Sequence, residues 1–292
     1  MSLTSGFEHI VRENEPLAAH TSLKLGGAAQ YFAEPTSTDE LVALVKRCAD
    51  DQIPVRLLGG GSNLLVRREG VEGCVILLSA PEFTQIHVEG DTLVAGGGAK
   101  LSHFIATAAR EGFSGPEQLV GIPGTVGGAL HNNTGYHGVD FGSWVRSAKV
   151  LTRDGQIATR DSDALAFSYR QSSLTELVIL EGKFTFDTEP ADELTKRMQK
   201  LWIVRRAAQP ESDENSAYMF KDHGGESASK LIADAGLSGE SVGAVHVSDR
   251  DPNFFVANPG ATSDQVLELM DKVRQQVADR LEIELQDAIQ IW

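Results

Sequence analysis

The chain has 292 residues, 41% hydrophobic and 23% charged, with 26 basic against 41 acidic side chains and a formal net charge of −15. That length allows two or three domains, and the apolar content supports true cores. The acidic excess argues against nucleic acid or an anionic membrane as partner, though a few local cations still serve a small anionic substrate. No apolar run approaches membrane length, and the opening residues, with Glu8, Arg12 and Glu13, do not read as a signal peptide, so a cytoplasmic protein is expected. Cys48 and Cys74 lie in apolar settings and read as buried free thiols, and no metal site is expected.

In chain order, Ser37-Thr38-Asp39-Glu40 reads as a capping box opening a helix with Leu41, Leu44, Val45 and Cys48 on one face. A strand over 54–58 leads into a first glycine loop, Leu58-Gly59-Gly60-Gly61-Ser62-Asn63-Leu64-Leu65. Residues 64–70 then read as extended chain, which is not the strand–turn–helix of a Rossmann fingerprint. Short strands are expected at 75–78, 85–88 and 92–95. Gly97-Gly98-Ala99-Lys100-Leu101-Ser102 fails the P-loop spacing. A helix over 101–111 turns Phe104, Ile105 and Ala108 inward. A second glycine loop follows, Gly121-Ile122-Pro123-Gly124-Thr125-Val126-Gly127-Gly128-Ala129, running on to Asn133-Thr134-Gly135.

Segments 148–152 and 156–159 pair across an Asp154-Gly155 turn, and 177–186 supplies another strand. A long helix over 191–206 carries Leu194, Met198, Leu201 and Trp202. The polar, acidic stretch 209–216 marks the last domain boundary. Beyond it come a helix over 227–234 and strands near His246 and Phe254. A final helix opens at a Thr262-to-Gln265 capping box, with Val266, Met270, Val273 and Val277 on one face, and 281–292 reads as a strand. Three domains are expected, 1–80, 81–210 and 211–292.

Glycine lets backbone N–H groups turn toward a ligand and lets the ligand approach the main chain. Two loops of this density, each flanked by strand-like runs, suit a diphosphate gripped from two sides and argue for a dinucleotide cofactor.

The same loops, with Thr21-Ser22-Leu23-Lys24-Leu25-Gly26-Gly27, Phe167-Ser168-Tyr169-Arg170, Ser172, Gln209-Pro210, Phe220-Lys221, Ala235-Gly236-Leu237 and Asn253-Phe254, carry a resemblance. In order and spacing they resemble the UDP-N-acetylenolpyruvoylglucosamine reductase (MurB) family, in its branch with the shorter C-terminal end. The resemblance implies an α+β fold, with a two-part FAD-binding unit of the vanillyl-alcohol-oxidase/MurB type followed by a small α/β substrate domain. It implies FAD as cofactor, NADPH as reductant and a UDP-sugar as substrate in peptidoglycan precursor synthesis, in a monomer. Cofactor contacts fall on Gly59, Gly60, Gly61, Ser62, Asn63, Leu64, Gly121, Ile122, Pro123, Gly124, Thr125, Gly127, Gly128, Ala129 and Gly135.

Hydride addition to an enolpyruvyl double bond drives negative charge into the carboxylate, and the neighbouring carbon then needs a proton. The resemblance assigns Arg170 to that charge, as a bidentate guanidinium, and places Tyr169 and Lys221 at the substrate. It also marks departures. Tyr218 stands where the family keeps a serine or cysteine, with Ser216 two residues out of register. The family's C-terminal glutamate falls on Ala288 without a gap, or on Glu284 with a four-residue slip, and the ungapped reading is favoured by the helix phase. Asn132-Asn133-Thr134, Asp222-His223 and Asp251-Pro252 depart as well. A flavin-binding protein that has lost the reductase activity, and a flavoenzyme acting on another substrate, are the alternatives.

Overall fold

A computed structural model describes residues 3–136, 138–210 and 215–292. The chain divides into two compact units. The first gathers the described residues of Met1–Glu15, Ala29–Gly60 and Glu72–Ile203; the second gathers Pro16–Ala28, Gly61–Val71 and those of Val204–Trp292. The boundary expected in the 209–216 stretch includes 211–214, which lie outside the described residues.

The first unit holds two sheets. One is four-stranded, in the order Val11–Pro16, Ala28–Ala33, Val71–Leu77 and Val55–Leu58. Its last two strands run parallel, with Val55 opposite Cys74, and the helix Thr38–Asp50 connects Ala28–Ala33 to Val55–Leu58. Leu41, Leu44, Val45 and Cys48 are buried on that helix, as the periodicity predicts. Its capping box is only half formed. Ser37 Oγ accepts from the Glu40 amide at 3.2 Å, but the Glu40 carboxylate takes the Thr36 amide and hydroxyl at 2.8 and 2.7 Å. Hydrogen bonds from His9 and then Thr36 hold the Glu40 carboxyl down at about 2. Cys48 and Cys74 are both free and buried. The contact with Cys48, and then burial, push the Cys74 thiol up.

The other sheet is five-stranded and antiparallel, in the order Ile157–Asp161, Val145–Leu151, Val178–Thr185, Thr92–Gly96 and Ile86–Glu89. The helices Leu101–Arg110 and Val126–His131 bury Phe104, Ile105, Val126 and Leu130 in the core of this sheet. Phe104, Phe141 and Phe184 meet there with centroids 4.8–5.2 Å apart, each pair contributing about 0.5–1.5 kcal/mol beyond area burial. On the long helix Ala191–Ala208, Leu194 is fully buried and Met198 packs on the same core. Trp202 instead stays half-exposed, because it lies past the end of that apolar stripe.

The second unit carries the sheet Ser216–Tyr218, Phe254–Ala257, Val245–Val247, Ser241–Val242, in that order. The helix Ser263–Leu281 opens on the full Thr262–Gln265 capping box and buries Val266, Met270, Val273 and Val277. It runs to Leu281 and stops where Glu282 turns left-handed, at φ 58°. The strand expected over 281–292 therefore shrinks to Gln290–Ile291, which pairs in parallel with Leu64–Leu65. The extended reading of the chain after the first glycine loop holds for that reason.

Candidate functional site

Within the first unit the two glycine loops meet through their main chains. A Cβ built on Gly60 would lie 2.9 Å from the Gly124 Cα, and one on Gly59 would lie 3.0 Å from Thr125 Oγ1. At Gly60, where the neighbour is main chain, only glycine permits so close an approach. The second loop is braced from beneath by residues 97–101. Gly127 N–H donates to Gly97 C=O at 2.8 Å, Val126 N–H to Ala99 C=O at 2.9 Å, and Leu101 N–H to Gly124 C=O at 3.0 Å. Thr125 then caps the short helix Val126–His131 by accepting from Gly128 N–H at 3.2 Å. Not every amide of this loop is therefore free to face a ligand. Those of Val126, Gly127 and Gly128 are already donors within the chain. The amides of Gly60, Gly124 and Thr125 make no hydrogen bond among the described residues, so a diphosphate would find its donors there. The side chain of Ala129 is buried in the core, and Gly135 is hemmed in by Asp140, to which its strand pairs.

The loop is anchored by side-chain hydrogen bonds, the first from a residue that carries no motif signal. Glu117, fully buried in the turn ahead of Gly121, accepts from Gly115 N–H at 2.6 Å and from Arg197 Nη1 at 3.1 Å. Beyond the loop, buried Asn133 donates from Nδ2 to Ser168 C=O at 2.8 Å and accepts at Oδ1 from Gly142 N–H at 2.9 Å. Ser172 Oγ donates to His131 C=O at 2.9 Å. These bonds latch a minimal hairpin, Phe167–Ser168 against Gln171–Ser172, onto the helix that follows the second loop. Tyr169 and Arg170 are its two turn residues. Arg170 has φ 56°, a left-handed conformation that costs an L-residue about 1–2 kcal/mol. Its guanidinium lies 5.6 Å from the exposed Tyr169 ring. A charged fork held at a strained tip suits binding of a carboxylate.

In the second unit, Gly61 has φ 65°, and a Cβ there would sit 1.9 Å from His20 C=O. Ser22 N–H donates to Gly61 C=O at 3.0 Å, so the Thr21-Ser22 motif holds the second half of the first loop. Asn63 Nδ2 donates to Ala288 C=O at 3.0 Å, and Ala288 N–H donates to Met219 C=O at 2.8 Å. Leu64 is buried in the strand that pairs with Gln290. Half-buried Lys221 donates its N–H to Gln286 C=O at 2.8 Å. Ala288, not Glu284, thus lies beside Asn63 and Met219, while Glu284 is exposed. Tyr218 donates its phenol to Asp222 Oδ1 at 3.2 Å, and the same oxygen accepts from Ala228 N–H at 2.9 Å. Burial holds the Asp251 carboxyl above its ordinary value, with the charge of Asp222 adding to this and hydrogen bonds from Ser229 and Asn253 opposing it.

The FAD binding domain family matches residues 29–160, and the family described as UDP-N-acetylenolpyruvoylglucosamine reductase, C-terminal domain, matches 209–292. The fold and the paired loops are those of an FAD-dependent flavoprotein, α+β in class, with its FAD-binding domain ahead of a reductase C-terminal domain. The UDP-N-acetylenolpyruvoylglucosamine reductase of Rhodopirellula baltica is 41% identical over 284 residues, covering 97% of this chain and 93% of that protein. Reductase 2 of Symbiobacterium thermophilum is 38% identical, with 97% and 92% covered. The crystal structure of the MurB reductase from Thermus caldophilus matches with a TM-score of 0.83 at 33% identity, covering 97% of this chain and 99% of that one. This chain belongs to the UDP-N-acetylenolpyruvoylglucosamine reductase family.

Proposed function

We propose that this protein reduces UDP-N-acetylglucosamine enolpyruvate to UDP-N-acetylmuramate with NADPH and FAD, a step of peptidoglycan precursor synthesis. The observation that carries this reading is family membership across 97% of the chain, loops and hairpin included. FAD, when bound, would supply the redox chemistry that links NADPH to the substrate. Gly59, Gly60, Gly124 and Thr125 hold its diphosphate in the first unit, where the close loop approach fits it. Gly61, Ser62 and Asn63 extend that loop, and Gly121, Ile122 and Pro123 lead the other one in.

Arg170 grips the enolpyruvyl carboxylate and stabilises the charge that develops on it. Tyr169 and Lys221 contact the substrate. We keep the three-part division 1–80, 81–210 and 211–292 as the functional one. The protein works as a cytoplasmic monomer; among the described residues no helix is long and apolar enough to cross a membrane.

One observation favours a second reading, a flavin-binding protein without this reductase activity. On the ungapped reading Ala288 stands where an acid is expected, and Glu284 is exposed. The two separate in one anaerobic experiment on the purified holoprotein. NADPH should bleach the flavin, and the enolpyruvyl substrate should restore its colour. Bleaching without restoration would defeat the reductase reading, and a protein that retains no FAD would defeat both.

A further inference from the structure

Reducing an enolpyruvyl double bond adds hydride to one carbon and a proton to its neighbour, so the reaction proposed above needs a proton donor as well as a carboxylate clamp. In the second unit most candidates are disqualified by their surroundings. Ala288 has no acid, while Glu284, Glu282 and His223 are exposed. Ser216 is buried. Asp251 is engaged by the Ser229 hydroxyl and the Asn253 amide.

Tyr218 differs from all of these. It lies three residues before Lys221 and one before Met219, whose carbonyl receives the Ala288 amide that in turn neighbours Asn63. Its ring is half-buried and held from two sides. Phe254 packs against it edge-on at 5.5 Å and 72°, and Asp222 receives the phenol at 3.2 Å. Asp222 is itself fixed by the Ala228 amide. Two positions that depart from the family pattern are thus bonded to each other, and Asp251, a third, feels the charge of Asp222. Departures that meet in space and satisfy one another are a rebuilt arrangement rather than scattered decay.

We propose that Tyr218 is the proton donor of the reaction, with Asp222 as the residue that positions its phenol. This rests on the reductase reading. The step moves only a proton, since the electron pair arrives with the hydride that NADPH supplies. The phenol O–H bond breaks, a C–H bond forms on the carbon next to the reduced one, and the phenolate regains its proton from water. A phenol, with an ordinary value of about 10, gives up a proton far more readily than water does. An enol-like carbon base accepts it easily.

The test uses the holoprotein, Y218F, D222A and D222N. Flavin bleaching by NADPH is followed first, then recovery with the enolpyruvyl substrate. Y218F keeps the ring packing and should bleach at close to the wild-type rate. Its recovery should slow by about two to four powers of ten, with substrate binding to the oxidised holoprotein unchanged by calorimetry. The protein has four tyrosines, so the Tyr218 ¹³Cζ resonance can be assigned with Y218F. D222A should move that resonance and slow recovery, and D222N, which keeps the acceptor oxygen, should restore both. Wild-type recovery in Y218F overturns the assignment of Tyr218 while leaving the reductase reading intact. Wild-type protein that bleaches but does not recover overturns both. Should Y218F lose FAD, an unmoved resonance and unchanged recovery in D222A overturn the proposal.

Discussion

Gly60→Ala tests the two-loop cradle where the structure is least forgiving. On the observed backbone the new Cβ would lie 2.9 Å from the Gly124 Cα and 3.3 Å from its carbonyl carbon. Both neighbours are main chain, so no rotamer change relieves the contact, and the loops must move apart by several tenths of an ångström. Gly60 is not among the residues with positive φ, so the effect is steric and not conformational. Overpacking of this kind costs about 1–3 kcal/mol, and about 1.4 kcal/mol is a factor of ten in affinity. Gly60→Ala should therefore weaken FAD binding by about one to two powers of ten, measured by titrating FAD into the stripped protein, with a lower Tm before FAD is added. Gly128→Ala is the matched control. Its Cβ would meet only Thr125 Oγ1 at 3.4 Å, and alanine suits a helix better than glycine by about 1 kcal/mol. Gly60→Ala with wild-type FAD affinity and Tm would refute the claim that the loops form one cradle.

Three further outcomes are expected. Arg170→Lys should impair use of the enolpyruvyl substrate more than FAD retention, because a point charge replaces a bidentate fork; equal loss of both in kinetics and flavin content would point to a structural role. Asn133→Ala removes the partner of the Ser168 carbonyl and strands the buried Gly142 amide, at about 1–3 kcal/mol for that buried group, so denaturant midpoints should fall clearly and an unchanged midpoint would remove Asn133 from the latch. Asp251 is a carboxyl raised in the folded state, chiefly by burial. It binds its proton more tightly folded than unfolded, so its contribution to stability declines as pH rises from about 3.9 through the raised folded value and is flat above. The Tm of wild type relative to Asp251→Asn should fall over that window, and parallel Tm curves would contradict the burial argument.

Much of this architecture is visible in the amino-acid order. The helix Thr38–Asp50 is legible because Leu41, Leu44, Val45 and Cys48 recur at helical spacing behind a serine cap. The antiparallel pair around Asp154-Gly155 is legible from its turn chemistry, and Leu151 opposite Ile157 confirms the register. The C-terminal segment misleads because Leu281, Ile283 and Leu285 alternate like a strand. Only Gln290–Ile291 pair, since the preceding helix reaches Leu281 and the chain must turn at Glu282 before it can lie beside Leu64. Phase along one element is local information, and the partner that decides where a strand starts is more than two hundred residues away.

The candidate site divides along the same line. A backbone that must approach another backbone leaves a compositional trace, because no residue but glycine fits, and so Gly60 and Gly124 announce themselves. The hairpin that presents Arg170 leaves almost none. Its arms are too short for a period to show, and its turn uses Tyr169 and an arginine at φ 56° where glycine would be the default. What makes it stable is supplied from elsewhere, by Asn133 and by the His131 carbonyl that accepts from Ser172. Arg170→Gly should then relieve the left-handed strain and leave the hairpin at least as stable while abolishing carboxylate binding, read by the denaturant midpoint and by calorimetry with the enolpyruvyl substrate. A strained residue kept where a relaxed one would fold as well is held there by its chemistry, and an Arg170→Gly variant that lost stability instead would show that the arginine serves the fold.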